Sequence, residues 1–95
     1  MKNVEIEEHV FPSGDLPDIV FIYDNNKYAV VEIEIMDPLP GAYQSLKYKV
    51  LLCAEKSLPI NSESVKSFLV APIIPDQIKD FCQKYGVETR IKKNE

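Results

Sequence analysis

The chain alternates between two hydrophobic periods. Asp18-Ile19-Val20-Phe21-Ile22-Tyr23 and Tyr28-Ala29-Val30-Val31-Glu32-Ile33-Glu34-Ile35 are rich in β-branched and aromatic residues and flank the polar stretch Asp24-Asn25-Asn26-Lys27. That composition predicts two strands joined by a hairpin turn. Upstream, Val4, Ile6, Val10 and Phe11 are spaced as a first strand, and Pro12-Ser13-Gly14-Asp15 forms a turn. Downstream, Pro38-Leu39-Pro40-Gly41 breaks the third strand and opens a crossover. From Ala42 to about Lys56 the period becomes helical, with Tyr43, Leu46, Val50 and Cys53 or Ala54 as its apolar stripe. A polar connection from Ser57 to Ser64 leads into a strand over Val65 to Ala71. After Pro72-Ile73-Ile74-Pro75, a second helix runs from about Asp76 to Tyr85 on a buried face of Ile78, Phe81, Cys82 and Tyr85. Gly86 caps it, Val87 to Ile91 forms a last strand, and residues 92–95 fray. The order β-β-β-α-β-α-β predicts a small α/β domain, a mixed sheet flanked by helices, with the fourth strand parallel to the third through a right-handed crossover.

Acidic residues sit within the apolar runs. Asp18 opens one, and Glu32 and Glu34 close the next. In a hairpin, the start of the first strand lies beside the end of the second, so the three carboxylates gather at the end away from the turn. Alternation puts Glu32 and Glu34 on one face. Asp18 joins them only if even residues pair with even ones, which requires a loop of odd length, such as Asn25-Asn26-Lys27, or a bulge. A two-residue Asn25-Asn26 turn sends Asp18 to the opposite face. Carboxylates among Ile, Val and Phe are costly unless compensated, and a divalent cation is the simplest compensation.

Ninety-five residues bound the chain to one domain with a modest core. Two lysines against eight acids give residues 1–35 a charge of −6, leaving +2 for the remainder of a total of −4. This imbalance suits a hard-cation site better than a surface that coats DNA. It also fits a plain solvated acidic edge. Cys53 and Cys82 fall in helical patterns without zinc-like spacing and are expected as reduced, buried thiols of a cytoplasmic protein. No apolar run approaches membrane-spanning length, and no signal peptide, repeat, basic helix or aromatic-basic array stands out.

Pro17-Asp18, thirteen intervening residues, Glu32-Ile33-Glu34 and then Gln44-x-x-x-Tyr48 on the following helix together resemble the PD-(D/E)XK nuclease superfamily. The last of these looks like the Q-x-x-x-Y element of its RecB-like branch. The resemblance covers most of the chain in element order and implies a restriction-endonuclease-like core. The activity implied is metal-dependent phosphodiester hydrolysis of nucleic acid, DNA first, with Mg²⁺ or Mn²⁺ as cofactor. Two departures stand out. The family's lysine position holds Glu34, so Lys47, three residues after Gln44, becomes the candidate to reach the site from the helix, with Lys49 a weaker one. The family's usual N-terminal helix is missing, which points to a minimal domain, a homodimer or an additional domain; Glu7 or Glu8 is a stand-in for the acid that helix often supplies.

On that resemblance Asp18, Glu32 and the backbone carbonyl of Ile33 are the metal ligands, and Glu34 is a further ligand or the base that orients water. Lys47 offsets phosphate charge, and Gln44 and Tyr48 position substrate or water. Each has a plainer reading. Asp18 serves as a strand-entry residue, Glu32 and Glu34 as the wet face of an edge strand, Gln44 and Lys47 as helix surface, and Tyr48 as a core-edge ring. His9 reads as a surface histidine and Asp15 as turn chemistry. The competing function is a catalytically degenerate nuclease fold that acts as a binding or assembly module, and Glu34 in place of lysine favours it.

Overall fold

The computed structural model describes residues 5–7, 11, 17–24 and 26–93. Its elements are β1 (Glu5–Glu7), β2 (Ile19–Tyr23), β3 (Lys27–Ile33), α1 (Pro38–Glu55), β4 (Val65–Ala71), α2 (Asp76–Lys84) and β5 (Val87–Ile91). They form one mixed five-stranded sheet in the order β1-β2-β3-β4-β5. The pairs β1–β2 and β2–β3 are antiparallel, while β3–β4 and β4–β5 are parallel. The parallel junctions are the two that a helix connects, as a crossover requires. Within the first expected strand only Glu5–Glu7 pairs; Phe11 lies outside any strand, and Val4 and Val10, His9 and the turn at residues 12–15 lie outside the described residues.

The hairpin resolves the parity question. Tyr23 pairs with Lys27, leaving a loop at residues 24–26, one position earlier than the suggested Asn25 to Lys27. Asp24 takes a positive φ of 48°, a conformation Asp tolerates, and its carbonyl accepts from the Asn26 amide at 2.9 Å. The pairs Val20↔Val30 and Ile22↔Tyr28 then match even residues with even ones. The third strand ends at Ile33 rather than Ile35, because beyond it only the Glu34 amide still bonds across, to the Val70 carbonyl at 2.9 Å.

The first helix starts at Pro38, four residues before the expected Ala42. Proline breaks a helix interior, but an N–H in the first turn has no intrahelical partner to lose. Asp37 caps this start by accepting from the Leu39 amide at 3.0 Å. Its buried stripe is also rotated from the expected one. Ala42, Ser45, Tyr48, Leu52 and Cys53 face inward, Leu46 and Val50 are half-buried, and Tyr43 and Ala54 are exposed. The helix has two neighbours, and its apolar residues divide between them. Small residues let it approach the sheet, while Tyr43 meets Phe81 of α2 edge-on at 5.0 Å. In α2 only Cys82 is fully buried, Ile78 and Phe81 are partly so, and Tyr85 is 44% exposed as the residue after the helix. Gly86 follows with φ 75°, the left-handed position that favours glycine. Lys92, expected to fray, donates its amide to the Ala71 carbonyl at 2.9 Å.

Two apolar clusters hold the helices to one sheet face. Val20, Val30, Val65, Tyr48 and Leu52 build the first; Ala42, Leu69, Ala71, Cys82 and Val87 build the second. Cys53 and Cys82 are buried free thiols, and burial raises both pKa values. No helix of the described residues is long and apolar enough to cross a membrane.

Candidate active site

Asp18 immediately precedes β2, and extending the Ile19↔Val31 pair by one step sets it opposite Glu32. The two residues grip each other. The Asp18 amide donates to Glu32 Oε2 at 2.8 Å, and the Ile33 amide donates to Asp18 Oδ2 at 2.9 Å. Each carboxylate therefore has one oxygen fixed by a backbone amide and retains capacity on the other. The N–H and C=O of an extended residue point to the same strand edge, so the Ile33 carbonyl also faces the Asp18 side.

The two acids sit in different surroundings. Asp18 is exposed, whereas Glu32 is only 2% exposed and lies on the helix-covered face with Val30. Burial pushes the Glu32 carboxyl up from 4.5 to about 7; the Asp18 amide bond opposes this, and the negative charges of Asp18 and Glu34 add to it. Glu34 is half-buried, and its pKa is raised by burial first, then by Asp18 and Asp37. The neighbouring acids thus disfavour the charge of Glu32 and Glu34 at the end of β3, Asp18 acting on both and Asp37, at the start of α1, on Glu34.

Gly41 makes room for this arrangement. A Cβ on Gly41 would meet the Glu34 side chain at Cγ and the Leu69 Cδ1 at 2.8 Å. The Glu34 side chain therefore packs over the bare backbone of α1's first turns. Ser45, one turn on, donates its hydroxyl to the Gly41 carbonyl at 2.7 Å. Gly41 and Asp37 went unrecognised as site-shaping residues in the sequence. The Asp-Pro step before a helix is a capping signal that points to Asp37; no sequence signal identifies Gly41.

The remaining candidates come from α1. Gln44 and Lys47 are exposed on its surface, while Tyr48 is 4% exposed and stacks on Phe11 with ring centroids 5.7 Å apart. Counting about 100° per residue from Gly41, Gln44 lies on the flank of α1 opposite Leu46, while Lys47 lies on its outer side, nearer Tyr43. Tyr48 packs into the first cluster beside Val20 of β2, the strand that Asp18 opens. Among the described residues, no group of three or more His, Cys, Asp or Glu side chains is arranged to hold an ion. The close pair is Asp18 with Glu32, and Glu34 stands as an electrostatic neighbour.

The mixed sheet and the crossover helix after β3 give the chain a restriction-endonuclease-like fold, shared with solved repair endonucleases. The chain superposes on an EndoMS–dsDNA2 complex with a TM-score of 0.76, 20% identity, and coverage of 99% of this chain and 38% of that one. For a repair endonuclease from Pyrococcus abyssi the TM-score is 0.72 at 20% identity, covering 99% of this chain and 40% of that one. EndoMS in apo form gives 0.67 at 21% identity, covering 96% and 37%. The chain spans about two fifths of the length of these solved proteins. No family model matches the chain, and no curated protein matches it in sequence.

Proposed function

We propose that this domain is a metal-dependent nuclease that hydrolyses phosphodiester bonds of nucleic acid, DNA first. The observation that supports it most is the reciprocal Asp18–Glu32 grip, in which the buried Glu32 carboxyl is pushed up to about 7. Burying a carboxyl next to two others is unfavourable, and a cation would reverse that. Mg²⁺ takes only one or two carboxylates and keeps several waters, so Asp18, Glu32 and the Ile33 carbonyl fit it or Mn²⁺ without a three-acid cage. When bound, such an ion supplies an activated water and stabilises negative charge on the phosphate.

The chain's own residues supply the rest. The two backbone amides fix Asp18 and Glu32 before substrate arrives, so little reorganisation is needed. Glu34 would take a proton from an attacking water, and its raised pKa supports that role. From α1, Gln44 orients a phosphate or water, Lys47 offsets phosphate charge, and the packed ring of Tyr48 sets the position of its hydroxyl. EndoMS is solved with double-stranded DNA, which supports DNA as the partner here. Failure of the isolated domain to cut would point to an additional domain or a second copy of the chain that completes the active protein.

The test is cleavage of DNA with Mg²⁺ or Mn²⁺ by the parent and by Asp18→Asn. Loss of at least a hundredfold is expected, in line with removing a group that directly holds the ion. Undiminished cleavage would remove the mechanism. Glu34 at the lysine position supports a second reading, a binding module that no longer cuts. That reading predicts nucleic-acid or protein binding with no cleavage under either metal.

A further inference from the structure

Among the described residues, both helices cover the sheet face that carries Val30, Val65 and Leu69. The opposite face holds a groove of about 460 Å³ floored by Phe21, Tyr23, Phe68 and Val70, with Lys66 and Arg90 as its charged lining residues. The register explains the grouping: Tyr23 pairs with Lys27, Val31 with Phe68 and Val70 with Arg90, so these side chains share one face. A second cavity of about 600 Å³ shares Tyr23 and Lys66 with the groove and adds Lys27, Lys49, Asn61 and Ser62. Joined at Tyr23 and Lys66, the two make a track that starts at the sheet end beside Lys49 and runs along the open face over β4. At its far end lies Val31, next in sequence to Glu32 and pointing to the opposite face.

We infer that this track binds an unpaired nucleic-acid strand, with phosphates against Lys27, Lys66 and Arg90 and bases against Phe21 and Phe68, and leads it round the end of β3 to the Asp18–Glu32 pair on the other face. The delivery step rests on the nuclease reading; the binding does not. Aromatic faces stack on bases only where those are not already stacked in a duplex, which selects a single strand. Arg90 holds its guanidinium 5.4 Å from the Phe68 ring centroid and adds a second stackable plane. The charge balance favours a polyanion: four cations line the track against Glu63 and Glu88, and Glu88 stands 3.4 Å from Arg90. The acidic N-terminal third of the sequence contributes no carboxylate to it among the described residues. A second copy would set Lys66 and Arg90 against the same cations, which opposes a face-to-face dimer. A purely apolar protein segment would fill the groove but leave the polar cavity unmatched.

Fluorescence anisotropy tests this with labelled oligothymidylate and a duplex of equal length, in EDTA so that no cleavage intervenes. The parent is expected to prefer the single strand. Lys66→Glu combined with Arg90→Glu should weaken it about tenfold or more and flatten its salt dependence. Phe68→Leu keeps apolar volume but removes a ring, and should weaken binding by about fivefold to a hundredfold. Lys79→Glu combined with Lys84→Glu, both on α2 and outside the track, makes the same change in net charge and serves as its control, and thermal melts confirm that each variant folds. Preference for duplex, equal loss in that control, or unchanged binding in the Lys66→Glu, Arg90→Glu variant overturns the track. So does binding of an acidic amphipathic peptide with no oligonucleotide bound. Metal-dependent cleavage abolished by Asp18→Asn but untouched by the Lys66→Glu, Arg90→Glu variant leaves the nuclease reading standing and this inference refuted. Single-strand binding without cleavage under any metal does the reverse.

Discussion

Replacing Glu32 by Gln should stabilise the metal-free protein, and increasingly so as pH rises. The side chain is 2% exposed, and its carboxyl is pushed up from 4.5 to about 7. Because the folded pKa lies above the unfolded one, the folded protein binds the proton more tightly. The associated stability is fully present below 4.5 and is lost as pH rises through about 7. The separation of the two values corresponds to roughly 3 kcal/mol once the carboxyl is ionised in both states. Gln keeps the volume and still offers an oxygen to the Asp18 amide, but it never ionises. Urea unfolding of parent and Glu32→Gln, in EDTA from pH 4.5 to 8.5, should show the variant gaining on the parent by roughly 3 kcal/mol across the window. For a domain of this size that is on the order of 10–20 °C in midpoint. Addition of Mn²⁺ at the alkaline end should raise the parent's midpoint and leave the variant's where it was. A difference between the two proteins that stays flat with pH would refute the placement of Glu32 as a buried, uncompensated acid.

Gly41→Ala drives a methyl into Glu34 and Leu69 Cδ1, and should cost about 1–3 kcal/mol in urea unfolding as well as cleavage activity; an unaffected variant would show that Glu34 does not rest on this backbone. Ser67 is 0% exposed and its hydroxyl has no partner among the described residues, so Ser67→Ala should be neutral or stabilising by up to about 1 kcal/mol by thermal melt, and a clear loss contradicts that. Asp37→Ala removes the cap of α1, at about 1 kcal/mol, and one of the charges that raise Glu34, so the carboxylate resonance of Glu34 in an NMR pH titration should move to lower pH.

Most of the fold is legible in the sequence because it rests on local signals. β4 and β5 match their expected spans because β-branched runs there are bounded by proline, serine and glycine. The even-with-even pairing of Asp18 and Glu32 follows from strand alternation once the loop is odd, but the residues of the loop do not declare their number. What the sequence hides is tertiary. Tyr43 and Leu46 look like the sheet-facing stripe of α1, yet α2 claims them, and Gly41, Ala42 and Ser45 take the sheet because small side chains permit close approach. Pro38 and Pro40 read as breakers in isolation; with Asp37 capping them they become a first turn. The amide bonds of Asp18 and Ile33 leave no trace in residue identity, since every non-proline residue carries the same donor. The track of Phe21, Tyr23, Phe68, Lys66 and Arg90 draws on three strands far apart in sequence, so no window along the chain displays it.

Calorimetric titration with Mn²⁺ at pH 7, comparing the parent with Asp18→Asn, reaches the claim under all of this, that the gripped acids form a cation site. The parent should bind one ion saturably and release a fraction of a proton, because the Glu32 carboxyl, half-protonated near that pH, must ionise to bind it. The variant should bind far more weakly. Absence of saturable uptake by the parent, or equal uptake by the variant, would contradict the account.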